Sequence, residues 1–143
     1  TEEVFCDLDP VAEKHQIRLI QAECDCTVTG SYILLYRAVY NLVENAIKYN
    51  RPSGSVTVNI HSAESAVLEV TDTGIGISPE NQEKIFDPFY RVDKSRSRAM
   101  GGAGLGLALV SEIARQHNGQ VKVTQSSEKG STIALILPKS TDY

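Results

Sequence analysis

A chain of 143 residues with 41% hydrophobic content is long enough to bury one substantial core and too apolar for a disordered segment. Its formal charge of -4 gives no general support for nucleic acid or an anionic membrane as partner, yet leaves phosphate open, because backbone N–H groups hold phosphate without net positive charge. No apolar run reaches membrane-helix length and no signal-peptide pattern opens the sequence, so the expectation is a soluble piece, compatible with a membrane-anchored parent.

Thr1 to Leu8 mixes charged and apolar residues and suits a short strand; Asp9-Pro10 then reads as a cap and a first-turn proline opening a brief helix through Lys14. Ile17 to Glu23 and Cys26 to Thr29 read as strands joined at Asp25. Cys6, Cys24 and Cys26 are odd in number and form no CxxC framework, which predicts free thiols in a reducing compartment. Cys24, Cys26 and His15 lack a fourth ligand at a spacing that suits a metal.

Ser31 can cap a long helix running to about Tyr49, stopped by the breakers from Asn50 to Gly54. Ser55 to His61 and Ala66 to Thr71 alternate as strands, with a polar turn between them that predicts a hairpin. Ser78 and Pro79 can open a short helix to Ile85. Lys94 to Ala103 is basic, small and glycine-bearing, the composition of a loop. Gly104 to His117 carries helical periodicity ending at Asn118-Gly119, and Gln120 to Gln125 and Ser131 to Leu137 read as strands across a turn containing Gly130. The fold class expected is an α/β (α+β) two-layer sandwich, a mixed, mostly antiparallel sheet covered on one face by three helices, all within a single domain spanning 1–143.

Chemistry concentrates at three places. On the long helix, at about 100° per residue, Asn41, Glu44, Asn45 and Lys48 share one face while Ala38, Leu42, Val43, Ala46 and Ile47 fill the rest. Short amides on so apolar a helix ask for a partner, although a solvated or capped face would also account for them. Next, Asp72-Thr73-Gly74-Ile75-Gly76-Ile77-Ser78 follows directly on a strand. Its glycines allow backbone to approach a flat ligand, Asp72 can accept an exocyclic amine, and Ile75 and Ile77 offer apolar walls. From this stretch alone, an ordinary turn with Asp72 bonding its own backbone is the favoured reading. Last, Gly101 to Leu107 (GGAGLGL) ends a loop and opens a helix, where free N–H groups and the helix dipole suit phosphate. It fits neither the dinucleotide fingerprint, which needs a preceding strand, nor the P-loop, which needs Gly-Lys-Ser/Thr. A glycine-rich hinge is the alternative.

The combination is more specific than its parts. Asn41-x-x-x-Asn45-x-x-Lys48-Tyr49, Asp72-x-Gly74-x-Gly76, Phe86-x-x-Phe89-Tyr90-Arg91 and Gly102-x-Gly104-x-Gly106, in this order, resemble the N box, first glycine box, F box and second glycine box of sensor histidine kinases. The resemblance covers nearly the whole chain and is to their catalytic and ATP-binding domain, in the gyrase, Hsp90, histidine kinase and MutL superfamily.

That resemblance implies a role for each matching residue. Asn45 would hold Mg²⁺, Asn41 would support the metal and phosphate end, and Lys48 would place a point charge on phosphate. Tyr49 would lie against the nucleotide, Asp72 would take the adenine amine, and Gly74, Gly76 and Ile77 would shape the adenine pocket. Gly102, Gly104, Leu105 and Gly106 would cradle the phosphates, with Arg91 reaching them from the root of an ATP lid at about 94–103. Phe86 and Phe89 would anchor the lid's start, and Thr132 would be a small polar group near adenine. Ala103, where Thr or Ser is frequent, and Ile133, where Phe is common, depart from the family pattern without removing a polar ligand group.

The implied reaction is transfer of the ATP γ-phosphoryl group to a histidine, with ATP and Mg²⁺ as cofactors. His15, His61 and His117 lack the phosphoacceptor pattern, so the acceptor is expected on a separate helical domain of the parent protein, with a response regulator downstream. The resemblance also implies a cytoplasmic domain that contacts neither nucleic acid nor membrane directly. Hydrolytic members of the superfamily place a glutamate at the position of Asn41, and an amide cannot serve as general base. Glu44, on the same face, leaves hydrolysis open as an alternative, and a non-catalytic nucleotide-gated module is another.

Overall fold

The computed structural model describes residues 2–21, 28–62, 64–87 and 106–139. The sequence expectations for Cys24, Cys26, Phe89, Arg91 and the loop from Lys94 to Ala103 lie outside them, as do Gly102, Gly104 and Leu105.

The first element corrects the sequence reading. A single helix, α1, spans Glu2–Lys14 and carries Pro10 inside it. Val4, Leu8 and Ala12, one turn apart, are buried along one stripe, while Glu2 and Glu3 sit at the positive end of the dipole and Lys14 at the negative end. Proline removes one helical hydrogen bond, and the burial of this stripe offsets it. The helix closes where Gln16 takes φ 60, with Ile17 N–H donating to Ala12 O at 2.8 Å and Gln16 N–H to Glu13 O at 3.1 Å.

Strand β1, Arg18–Gln21, follows, and α2 spans Tyr32–Lys48. Val28 and Thr29 stand outside any strand, so the expected second strand is absent where it is described. Ser31 caps α2 as expected, its Oγ accepting Leu34 N–H at 3.3 Å. Ala38, Leu42, Val43, Ala46 and Ile47 are all buried, and truncating a side chain placed like Leu42 costs about 2–5 kcal/mol. Strands β2, Ser55–Ser62, and β3, Ser65–Asp72, form the expected antiparallel hairpin. The helix expected from Pro79 is only a turn followed by a short 3-10 segment at Lys84–Phe86. Helix α3, Gly106–Gln116, ends at Asn118, whose φ of 60 supplies the left-handed residue of the Asn-Gly stop. Strands β4, Gln120–Ser127, and β5, Gly130–Pro138, follow as the last of the described elements.

The sheet order is β1-β2-β3-β5-β4. β1 and β2 are parallel, joined through α2 as a crossover demands, and the other neighbouring pairs are antiparallel. Val56 and Val58 of β2, Val70 of β3, and Ile133 and Leu135 of β5 meet Leu8 of α1, Leu42 and Ile47 of α2, and Val110 and Ile113 of α3 in one core. The mixed sheet with three helices matches the two-layer class read from the sequence. Both Asp72 and the C-terminal half of α2 lie at ends of elements anchored in this core.

Candidate nucleotide site

The polar stripe of α2 is half-buried at Asn41, Glu44, Asn45, Lys48 and Tyr49. Asn41 Nδ2 donates to Arg37 O at 2.8 Å, which leaves Oδ1 turned toward the start of α3. A Cβ on Gly106 would stand 3.3 Å from that oxygen, so glycine lets the helix begin close against Asn41. Lys48 Nζ lies 3.6 Å from Glu44 Oε1, an i,i+4 pair in the favoured order and worth only a few tenths of a kcal/mol at such exposure. The first and last motifs of the sequence reading thus meet at Asn41 and Gly106.

The second wall is the loop after β3. Gly74 packs so tightly under the end of α2 that a Cβ there would lie 2.3 Å from Tyr49 O, which excludes any side chain. Gly76 has φ +75, and Ile77 N–H donates to Ser126 Oγ at 2.6 Å while Gln82 Nε2 donates to Ile77 O at 3.1 Å. Ile77 packs against the core and Ile75 stays exposed.

Asp72 is buried at the last position of β3, 9% exposed. Its Oδ1 accepts Gly74 N–H at 2.9 Å and Ser131 N–H at 3.3 Å, and its Oδ2 accepts the Ser131 hydroxyl at 2.9 Å. Burial nevertheless outweighs these three bonds and pushes its pKa above the usual aspartate value. Oδ2, with only one of these bonds, retains acceptor capacity for an amine.

Thr132, expected near adenine from the resemblance, does not share a sheet face with Asp72. β3 and β5 pair Asp72 with Ser131 and Thr71 with Thr132. Side chains alternate across a strand, so Thr132 lies on the opposite sheet face from Asp72, with its Oγ1 2.9 Å from Thr71 Oγ1. Ser131 is the residue missed. Its parity with Ile133, Leu135 and Leu137 was a signal, but Ala134 and Ile136 on the other parity hid it. Asn50 and Thr73, read only as a helix stop and a loop residue, also prove to be hydrogen-bonded to each other at 2.9 Å. Among the described residues no cluster of three or more His, Cys, Asp or Glu could hold a metal.

Asp72, Gly74 and Tyr49 on one side, with Asn41, Asn45, Lys48 and Gly106 on the other, frame the candidate site on a two-layer mixed-sheet fold. The chain belongs to the histidine kinase-, DNA gyrase B- and HSP90-like ATPase family, whose model matches residues 30–141. Within that family it corresponds to the catalytic ATPase domain of sensor histidine kinases. Sensor-like histidine kinase SenX3 of Mycobacterium bovis is 47% identical over 119 residues, 82% of this chain and 29% of SenX3. The chain therefore spans less than a third of that relative. The mycobacterial sensor histidine kinase MprB superposes with a TM-score of 0.81 at 29% identity, covering 99% of this chain and 95% of the MprB chain. Full-length ShkA, solved in complex with AMPPNP, gives 0.84 at 26% identity over 99% of this chain and 29% of its own.

Proposed function

We propose that this chain binds Mg²⁺ and ATP and transfers the γ-phosphoryl group to a histidine on a separate helical domain of its parent, for passage to a response regulator. The observation that carries the reading is the convergence of a buried acceptor, Asp72, with the amide face of α2 where that face meets Gly106. The AMPPNP bound in ShkA supports an adenine nucleotide as ligand.

Each residue then has a task its chemistry allows. Asp72 Oδ2 accepts the adenine amine, Gly74 and Gly76 keep the pocket free of side chains, and Ile77 and Tyr49 line it. Lys48 turns from Glu44 to phosphate, and the backbone from Gly102 to Gly106, with Arg91, takes the phosphate oxygens. Asn41 and Asn45 supply amide oxygens beside the Glu44 carboxylate, a hard-oxygen donor set that fits Mg²⁺, with Asn45 the direct ligand. Bound there, the ion would offset charge on the phosphate oxygens. The protein's own share is to hold nucleotide and acceptor in line.

Asn41 favours transfer over hydrolysis, because an amide cannot take a proton from water. Residues 1–143 serve as one ATP-binding unit, the cytoplasmic domain of a membrane-anchored parent. No helix among the described residues is long and apolar enough to cross a membrane. The test mixes this chain, Mg²⁺ and γ-labelled ATP with the parent's histidine-bearing helical domain. Label on histidine is the expected result. Steady phosphate release without it, or binding without either, would overturn the kinase reading in favour of a hydrolase or a passive module.

A further inference from the structure

Asn50 stands just past the end of α2 and is 6% exposed. Its Nδ2 donates to Ser55 O at 2.8 Å, and its Oδ1 accepts both Arg51 N–H at 2.8 Å and the Thr73 hydroxyl at 2.9 Å. Thr73 Oγ1 in turn accepts Ser55 N–H at 3.0 Å. The ring of bonds is closed: Ser55 N–H to Thr73, Thr73 to Asn50, Asn50 back to Ser55 O. Only an amide suits its centre, since one end must donate to a carbonyl while the other receives two donors.

This ring links three segments that the candidate site depends on. Asn50 follows directly on Lys48 and Tyr49, Thr73 lies between Asp72 and Gly74, and Ser55 opens β2 between them. Gly74 presses against Tyr49 O and Asn50 Cα at the same place, at 2.3 and 3.1 Å from where a Cβ would stand. Asp72 itself is oriented by Ser131 and Gly74, without help from Asn50. The adenine acceptor is therefore held by one set of bonds, and its separation from α2 by another.

We propose that Asn50, acting through Thr73, is a positioning residue that sets the spacing between the adenine acceptor and the phosphate-facing stripe of α2. The proposal rests on the nucleotide reading above. A ligand that spans both ends gains from correct spacing, because binding one end places the other without further loss of freedom. A ligand that occupies one end gains nothing from it.

The experiment compares ATP with adenosine, by calorimetry on the whole chain, for wild type, Asn50→Ala and the near-isosteric Thr73→Val. The expected result is a loss of about tenfold in ATP affinity in both variants, the size of one or two buried hydrogen bonds, with adenosine affinity unchanged. Equal loss for both ligands would mean a general structural role, and no loss for either would mean no role; each overturns the proposal. If Asn50→Ala fails to fold by circular dichroism, Thr73→Val alone decides by the same ratio. A wild-type chain that binds neither ligand overturns the nucleotide reading itself, an outcome separate from a wild type that binds both and variants that keep the ratio.

Discussion

Ser131 on β5 and Asp72 on β3 are direct cross-strand partners, and both the hydroxyl and the N–H of Ser131 donate to the Asp72 carboxylate. The carboxylate is thereby held buried and oriented at the last position of β3, with Oδ2 the oxygen proposed to accept the adenine amine. Removing the hydroxyl alone loses a charge-assisted bond worth about 1.5–3 kcal/mol. Ser131→Ala should accordingly weaken ATP binding roughly tenfold or more, while Thr132→Val, altering the opposite sheet face, should leave it unchanged. Calorimetric titration of both variants checks this, and the reverse pattern would restore Thr132 to the adenine side.

Asp72→Asn should abolish measurable ATP binding, because it turns an acceptor toward an amine into a donor or a weaker neutral acceptor. Unchanged affinity would sink the assignment.

Burial raises the Asp72 pKa from its ordinary 3.8. Between that value and the raised one, the folded chain keeps a proton that the unfolded chain has released. Stability must therefore fall as pH rises through this window, and the cost persists above it. Urea unfolding of wild type and Asp72→Asn across a pH series starting near 4 should show the wild type losing stability relative to the variant as pH rises. Parallel curves would mean that the carboxylate is not held against its ionisation.

Asn45→Ala should leave a chain whose nucleotide affinity no longer responds to Mg²⁺, since the amide oxygen proposed to hold the ion is gone. Titrating ATP with Mg²⁺ and with a chelator reads this directly; a retained metal dependence would move the ligand role to another group.

Away from the site, the Tyr36 hydroxyl donates to Asp7, and that hydrogen bond, more than desolvation or charge, pushes the phenol up to about 12. Asp7→Ala should lower the Tyr36 titration from about 12 toward the ordinary 10.0, with desolvation, Tyr40 and Glu3 still holding it up, a shift visible in alkaline nuclear magnetic resonance spectra. A Tyr36 titration indifferent to Asp7 would show that α1 does not dock against α2 through this pair.

What the sequence determined by itself was whatever depends on neighbours along the chain. The amide stripe on α2 follows from helical period, the Ser31 cap and Asn118-Gly119 stop from local backbone chemistry, and the family from four ordered motifs. Only the tertiary structure decided matters that depend on partners distant in sequence. Pro10 lies inside α1 because burial of Val4, Leu8 and Ala12 against the core outweighs one lost helical bond. Ser131 rather than Thr132 meets Asp72 because strand register chooses the face, and a β5 that is apolar on both parities does not announce its register. Asn50 joins Thr73 because α2, β2 and β3 end at one place, a convergence set by the packing of the whole sheet against its helices.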